Sequence, residues 1–129
     1  MRTVVSSSGY GETLRHVLDG IGRRGLTVFA RIDHAAAARE AGMDLTDEMV
    51  VIFGNPRAGT PLMQQDPRVG IELPLRLLIW NDGEHTILGY EDPRDLAGSY
   101  NITAHVATLD AMSSLLDQLA HEAAGAASS

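Results

Sequence analysis

Five consecutive apolar residues, Met49 to Phe53, are followed at once by Gly54-Asn55-Pro56. An apolar run of this length, ended by glycine and proline, is typical of a strand that lies inside a sheet and is covered on both faces. We therefore expect a layered protein built around this strand. With 129 residues and 13.8 kDa, the chain has room for one such core.

Hydrophobic periodicity on either side of this run predicts four further strands and four helices. The strands are expected at 3–6, 26–32, 75–80 and 86–90. The helices are expected at 12–24, 34–41, 60–65 and 109–123. Gly25 ends the first helix, and Asp33 is placed to cap the second. Asp82-Gly83 predicts a type I′ turn between the last two strands, because both residues tolerate a positive φ.

These elements predict an α+β protein, with a mixed β-sheet, helices packed on it and the order β-α-β-α-β-α-β-β-α. We find no internal repeat, linker or charge block that would divide the chain. We therefore expect a single two-layer domain over residues 1–124, with 125–129 as a frayed C-terminal tail.

Composition excludes several classes of function. The chain has no cysteine, which removes thiol nucleophiles, zinc knuckles and iron–sulfur sites. Its net charge is −7 and all ten basic residues are arginines, which argues against a nucleic-acid partner and excludes lysine chemistry. No apolar run reaches the roughly 18 residues of a membrane span, and the N-terminus does not resemble a signal peptide. We expect a cytoplasmic protein without a membrane partner.

The turn from Gly54 to Thr60 is the first candidate site. Its spacing of glycine, four residues, glycine and threonine resembles a phosphate-binding loop, but the lysine of that loop is missing. Two interpretations stay open. One is a site for a small anion, formed by Asn55, Arg57, Gly59 and Thr60 at a helix N-terminus. The other is a tight turn in which Asn55 hydrogen-bonds the backbone and Pro56 sets the shape.

Asp33-His34 is the second candidate site, because it lies between a predicted strand and a predicted helix. His34 has the pKa range of a general acid or base, and Asp33 is close enough in sequence to orient it. The alternative is that Asp33 caps the helix and His34 is a surface residue. No histidine pair has metal-binding spacing, so neither a metal site nor a cofactor is predicted.

The motifs resemble those of the domain of unknown function 302 family. The residues that carry the resemblance are Ile32-Asp33-His34, Ile52-Phe53-Gly54-Asn55-Pro56, Gly59-Thr60-Pro61-Leu62-Met63 and Leu73-Pro74-Leu75-Arg76. The resemblance covers about residues 12–100. It implies a small bacterial or archaeal α+β protein, often dimeric, with no established activity. One departure is that a proline is usual in the family near Thr46-Asp47, where this chain has none.

Three functions are compatible with these residues. The first is a small anionic-metabolite binding module that acts as a homodimer, in which the loops 33–36 and 54–60 form one polar pocket. The second is a cofactor-independent enzyme with His34 as acid or base, Asp33 as its orienting group, and Asn55 or the amides of Gly59 and Thr60 stabilising an oxyanion. The third is a protein-interaction or structural domain without a pocket. The first two require the two loops to meet.

Overall fold

A five-stranded sheet forms the centre of the computed structural model, which describes residues 1–125. The strands are β1 (Arg2–Val5), β2 (Thr27–Asp33), β3 (Glu48–Gly54), β4 (Leu75–Asn81) and β5 (Thr86–Tyr90). They lie in the order β1-β5-β4-β3-β2, so β1 and β2 are the two edges. Apart from Gly125, the predicted tail at 125–129 lies outside the described residues.

Two long helices form the second layer. The α-helices are α1 (Tyr10–Arg23), α2 (His34–Glu40), α3 (Pro56–Gln65), α4 (Leu96–Ser99) and α5 (Val106–Ala123). Short 3-10 segments follow α3 and precede α4. α1 and α5 pack on each other and on one face of the sheet, burying Val17, Ile21, Leu116 and Leu119. The α+β class and the predicted order of elements are confirmed, and α4 and the 3-10 segments are additions to it.

All four strand pairings are antiparallel, where the sequence analysis expected a mixed sheet. The connection between β2 and β3 is residues 34–47, in which α2 is followed by a loop. A connection of this length could also serve a parallel crossover, so its length alone does not set the strand direction. In the structure β3 begins at the end where β2 stops and runs back beside it.

β3 lies inside the sheet as predicted, but only one of its faces is fully buried. Met49, Val51 and Phe53 are buried on the face that the helices cover. Val50 and Ile52 point to the opposite face and are half-buried. The prediction of cover on both faces is wrong, because both long helices pack on the same side of the sheet.

β2 is an edge strand with a β-bulge. Its register to β3 shifts between Val28 and Ala30, so that Phe29 is an extra residue. Phe29 and Ile32 are 49% and 44% exposed. The sequence pattern predicted regular alternation with one face on the core. That prediction is wrong, because β2 lies beside the part of the sheet that α1 and α5 cover and the bulge interrupts its alternation.

The β4–β5 hairpin is confirmed, although its turn differs from the predicted one. Asn81 pairs with Thr86, which leaves a four-residue loop. The Asp82 carboxylate accepts hydrogen bonds from the backbone N–H groups of Glu84 and His85, at 2.9 and 2.7 Å. Within this loop, residues 82–85, Gly83 alone has a positive φ, +102°. The type I′ prediction is wrong because the Asp82 side chain organises a longer loop.

Candidate functional site

A cavity of about 350 Å³ lies where the start of α3 faces the middle of α5. Its walls come from the start of β2, the turn between β3 and α3, the segment that enters β4, and α5. The lining residues are Leu26, Phe29, Gly54, Asn55, Pro56, Ala58, Gly59, Thr60, Met63, Leu73, Pro74, Leu75, Thr108, Ala111, Met112 and Leu115. None of them is charged, and most are apolar.

Local backbone features open this cavity. The bulge in β2 inserts Phe29, whose ring forms part of the wall. Gly54 and Gly59 lie in the wall, and a β-carbon at Gly59 would lie 3.6 Å from Cδ1 of Leu73, an ordinary contact distance. Hydrogen-bonding groups in the lining come from the side chains of Asn55, Thr60 and Thr108. The cavity can therefore hold an apolar body and one or two neutral polar groups.

The turn into α3 already uses the amides that were expected to bind an anion. α3 begins at Pro56 rather than at residue 60 or 61, because Asn55 caps it and a proline is accepted at the first helical position. The Asn55 side-chain oxygen accepts from the Arg57 amide at 3.0 Å. The amides of Ala58 and Gly59 donate to the Asn55 carbonyl, at 2.9 and 3.2 Å. This geometry matches the alternative interpretation of a tight, capped turn.

The two predicted site loops lie at opposite ends of the β2–β3 pair. Asp33 pairs with Met49 at the start of β3, whereas Gly54 and Asn55 lie at its end. Five residue steps of strand separate the two ends by about 17 Å. The expectation that His34 and Asn55 share one pocket is therefore wrong, because antiparallel neighbours end at opposite edges of the sheet.

Asp33 has a structural role in this arrangement. Its carboxylate accepts a hydrogen bond from the Ala36 amide at 2.9 Å and caps α2. Burial, together with the carboxylates of Asp33, Asp47 and Glu48, raises the pKa of Tyr10 to about 12. His34 is exposed and lines a different concavity, of about 550 Å³, on the other side of the sheet. Across residues 1–125, no group of three potential metal ligands comes together.

Arg57 and Thr60 differ in their relation to the cavity. Thr60 lines it, whereas the side chain of Arg57 is exposed and is not part of the lining. The structure therefore does not bring all the predicted ligand-binding residues together, which were Asn55, Arg57, Gly59, Thr60 and His34. Asn55, Gly59 and Thr60 share the cavity wall, and the two cationic or titratable members lie elsewhere.

A buried carboxylate that the sequence analysis missed holds two walls of the cavity together. Asp66, directly after α3, accepts from the amide and guanidinium of Arg68, at 2.8 to 3.1 Å. It also accepts from the Asn101 amide at 3.0 Å, in the segment that leads into α5. The side-chain bond from Arg68 and the backbone bond from Asn101 hold the pKa of Asp66 well below its usual range. Asp66 and Asn101 are 35 residues apart, so no local pattern announces this link.

Comparison with known proteins gives a family and a fold. The model of the family described as "Domain of unknown function DUF302" matches residues 2–119. A crystal structure of an uncharacterized conserved DUF302 protein from Bacillus stearothermophilus superposes with a TM-score of 0.84 at 22% identity. That likeness covers 95% of this chain and 96% of the other, and it establishes the fold alone.

Curated relatives are longer than this chain. The chain is 41% identical over 101 residues to the fluoride-specific ion channel FluC 1 of Brucella suis biovar 1, which covers 78% of this chain and 40% of that protein. FluC 2 of Brucella melitensis biotype 1 matches equally, over 37% of its length. The chain thus spans about two-fifths of these relatives. Within residues 1–125, no helix combines the length and apolar character needed to cross a bilayer.

Proposed function

We propose that this chain, which belongs to the DUF302 family, is a small-molecule binding module whose ligand occupies the cavity between α3 and α5. The observation that carries the proposal is the cavity itself. Its volume of about 350 Å³ falls in the range of small-molecule sites, which are concave, mostly apolar and equipped with a few polar groups.

The lining favours a ligand with an apolar body and a neutral hydrogen-bonding group. Met63, Leu73 and Leu115 offer apolar contact, and burial of a ligand against such side chains contributes about 25 cal/mol per Å². Thr60 and Thr108 supply hydroxyls that can donate or accept. The anionic ligand expected from the loop motif has less support, since no charged side chain lines the cavity and the Gly59 amide is already bonded.

The experiment uses 1-naphthol, an apolar body with one hydroxyl, and inorganic phosphate as the contrasting anion. We expect 1-naphthol to raise the melting temperature in a concentration-dependent way, because a ligand at 100 times its dissociation constant adds about 2.7 kcal/mol to the stability. Phosphate should leave it unchanged. Isothermal titration then gives the affinity of 1-naphthol.

Two variants of α5 connect that binding to the cavity. Ala111→Phe places a ring into the cavity and should weaken 1-naphthol binding at least tenfold. Ala107→Phe is the matched control, because Ala107 is also an exposed alanine, lies about one turn earlier and does not line the cavity. A shift with phosphate alone would favour the anionic ligand instead. If neither probe changes the melting temperature, binding of a small molecule is rejected in favour of a protein-interaction or structural role.

The names of the Brucella relatives favour fluoride as a second candidate ligand. A fluoride ion is small and strongly hydrated, and the cavity offers it no charged side chain, only the neutral groups of Asn55, Thr60 and Thr108. Sodium fluoride and sodium chloride at equal concentration, compared by thermal shift, test this candidate. A shift specific to fluoride would support it, and equal curves would reject it.

The module is further proposed to work as a homodimer. The support is the apolar surface that the helices leave uncovered, which includes Val5 and Ile32, 56% and 44% exposed. Exposed apolar surface of this kind is common at interfaces between subunits. Light scattering after size exclusion should give a mass twice that of the chain, and a mass of 13.8 kDa at all concentrations would reject the dimer.

A further inference from the structure

One face of the sheet carries apolar side chains without a helical layer over it in the described residues. We name it the open face and define it by Ile32, Val50, Ile52, Leu78, Trp80 and Ile87. Register places these residues on one side of four adjacent strands, opposite the buried Val51, Leu77 and Leu88. A sheet face of this composition is normally packed against another layer.

Two opposite charges stand at opposite ends of the open face. Glu48 pairs with Trp80 at one end, and Arg76 pairs with Ile52 at the other. Along the strands the two charges are about 13 Å apart. Arg76 has one ion-pair contact in its own chain, to Glu72 at 3.7 Å, and within residues 1–125 Glu48 has none.

Because the two charges lie at opposite ends of the open face, two copies of that face can bring opposite charges together. Consider a two-fold axis in the plane of the interface, perpendicular to the strands and passing through the Val50–Leu78 pair. Rotation about it places Arg76 of one copy over the partner's Trp80, offset sideways from the partner's Glu48 by about one strand spacing, 4.8 Å, across the roughly 10 Å between packed sheets. The same contacts recur at the other end, so both charges find opposite partners and Arg76 gains a cation–π contact.

The area of the open face is close to what a dimer needs. The five strands hold about 30 residues, which at about 3.3 Å by 4.8 Å each cover roughly 475 Å² in plan for each copy. Two copies together thus come close to the total of about 1,000 Å² expected for a specific interface. At Gly89 the face is covered by its own chain, since a β-carbon there would lie 2.8 Å from the sulfur of Met1 and 3.0 Å from the Trp80 ring.

We propose that two copies of this chain pack face to face through their open faces, each Arg76 pairing with Glu48 of the other copy. The proposal rests on the homodimer of the preceding section and adds the location of its interface. The ligand cavity lies on the helical side of the sheet, so dimer assembly and ligand binding are measured independently.

Sedimentation equilibrium on the full chain tests this interface. Leu78→Arg puts a positive charge beside the two-fold axis, where it faces the same charge on the partner copy. This substitution should raise the dimer dissociation constant at least tenfold. Ile71→Arg is the matched control, because Ile71 is 80% exposed and lies outside the open face. Far-UV circular dichroism and 1-naphthol binding show whether each variant is folded.

A charge swap tests the pairing itself. Arg76→Glu and Glu48→Arg should each weaken the dimer at least tenfold, and the double variant should return to within about threefold of the wild type. If the dimer survives Leu78→Arg or either single reversal, the homodimer stands and the open face is rejected as its interface. If the double variant does not recover, the pairing is rejected. A wild type that stays monomeric rejects both the interface and the homodimer.

Discussion

Gly20 allows α1 and α5 to approach closely, and replacing it tests how tightly the helical layer is packed. A β-carbon at position 20 would lie 2.7 Å from Cδ1 of Leu119, which is fully buried. Gly22 lies in the same helix, is exposed, and has no heavy atom within 4 Å of the corresponding position. The two glycines therefore share a helix and differ in what a methyl group would contact.

The magnitudes follow from this difference. In a helix, Gly→Ala adds about 0.5–1 kcal/mol of stability. Gly22→Ala should show that gain. Gly20→Ala should lose it to overpacking against Leu119, which costs about 1–3 kcal/mol. The free energies of unfolding of the two variants should thus differ by about 1–3 kcal/mol.

Urea unfolding followed by circular dichroism measures this difference at one fixed protein concentration. With a slope of about 2 kcal/mol per M, the midpoints should differ by roughly 0.5–1.5 M. In a Leu119→Ala background, Gly20→Ala should become neutral or stabilising, because the contacting group has been removed. Equal stabilisation by Gly20→Ala and Gly22→Ala, or a penalty that persists without the leucine side chain, would refute the packing argument.

Three further predictions concern the acidic links and the hairpin. Asp66→Asn should lower the urea midpoint several times more than Asp95→Asn, because of these two carboxylates only that of Asp66 accepts from four donor atoms, of Arg68 and Asn101. A smaller effect than that of the control would contradict this role. The pKa values of Asp66 and Asp92 lie below the unfolded value of about 3.9, so their stabilisation is complete above that value and is lost as pH falls below it. Urea midpoints from pH 6 to pH 3 should therefore fall, and less steeply in Asp66→Asn. Gly83→Ala should cost about 1–2 kcal/mol, because φ is +102° there, whereas Gly98→Ala, in a helix with free space, should not destabilise the protein; equal thermal stability of the two would contradict this.

The cavity shows how a motif can mark a site for a different reason from the one its spacing suggests. The spacing from Gly54 to Thr60 resembles an anion-binding loop, but its first amides are bonded to Asn55. Gly59 lies instead beside Leu73, at ordinary contact distance. The same residues thereby form one wall of an apolar cavity. Chemistry at this site then depends on the side chains that α5 brings from about fifty residues further along the chain.

The two candidate loops lie apart because β2 and β3 are antiparallel. Both loops were expected at the same edge of the sheet, as in parallel α/β folds. The connection of residues 34–47 is long enough for either a parallel or an antiparallel pairing, so the sequence left the strand direction open. The hydrogen bonds of β3 with its neighbours decide it.

The kind and order of the elements were determined by the sequence alone, because they depend on interactions within a few residues. The five-residue apolar run predicted an interior strand, Gly25 the end of the first helix and Asp33 a helix cap, and each of these depends on local backbone preferences. The family, too, was recognisable from short motifs.

Tertiary structure decided which apolar face is covered, where the cavity lies and which carboxylate is buried. An apolar residue is driven out of water, but hydrophobicity has no direction and does not state what will cover it. Val50 and Val51 have the same side chain, yet one faces α1 and α5 while the other lies on the open face. Likewise Asp66 meets Asn101 only when the chain folds back across 35 residues. Those outcomes depend on long-range packing, which a local pattern does not encode.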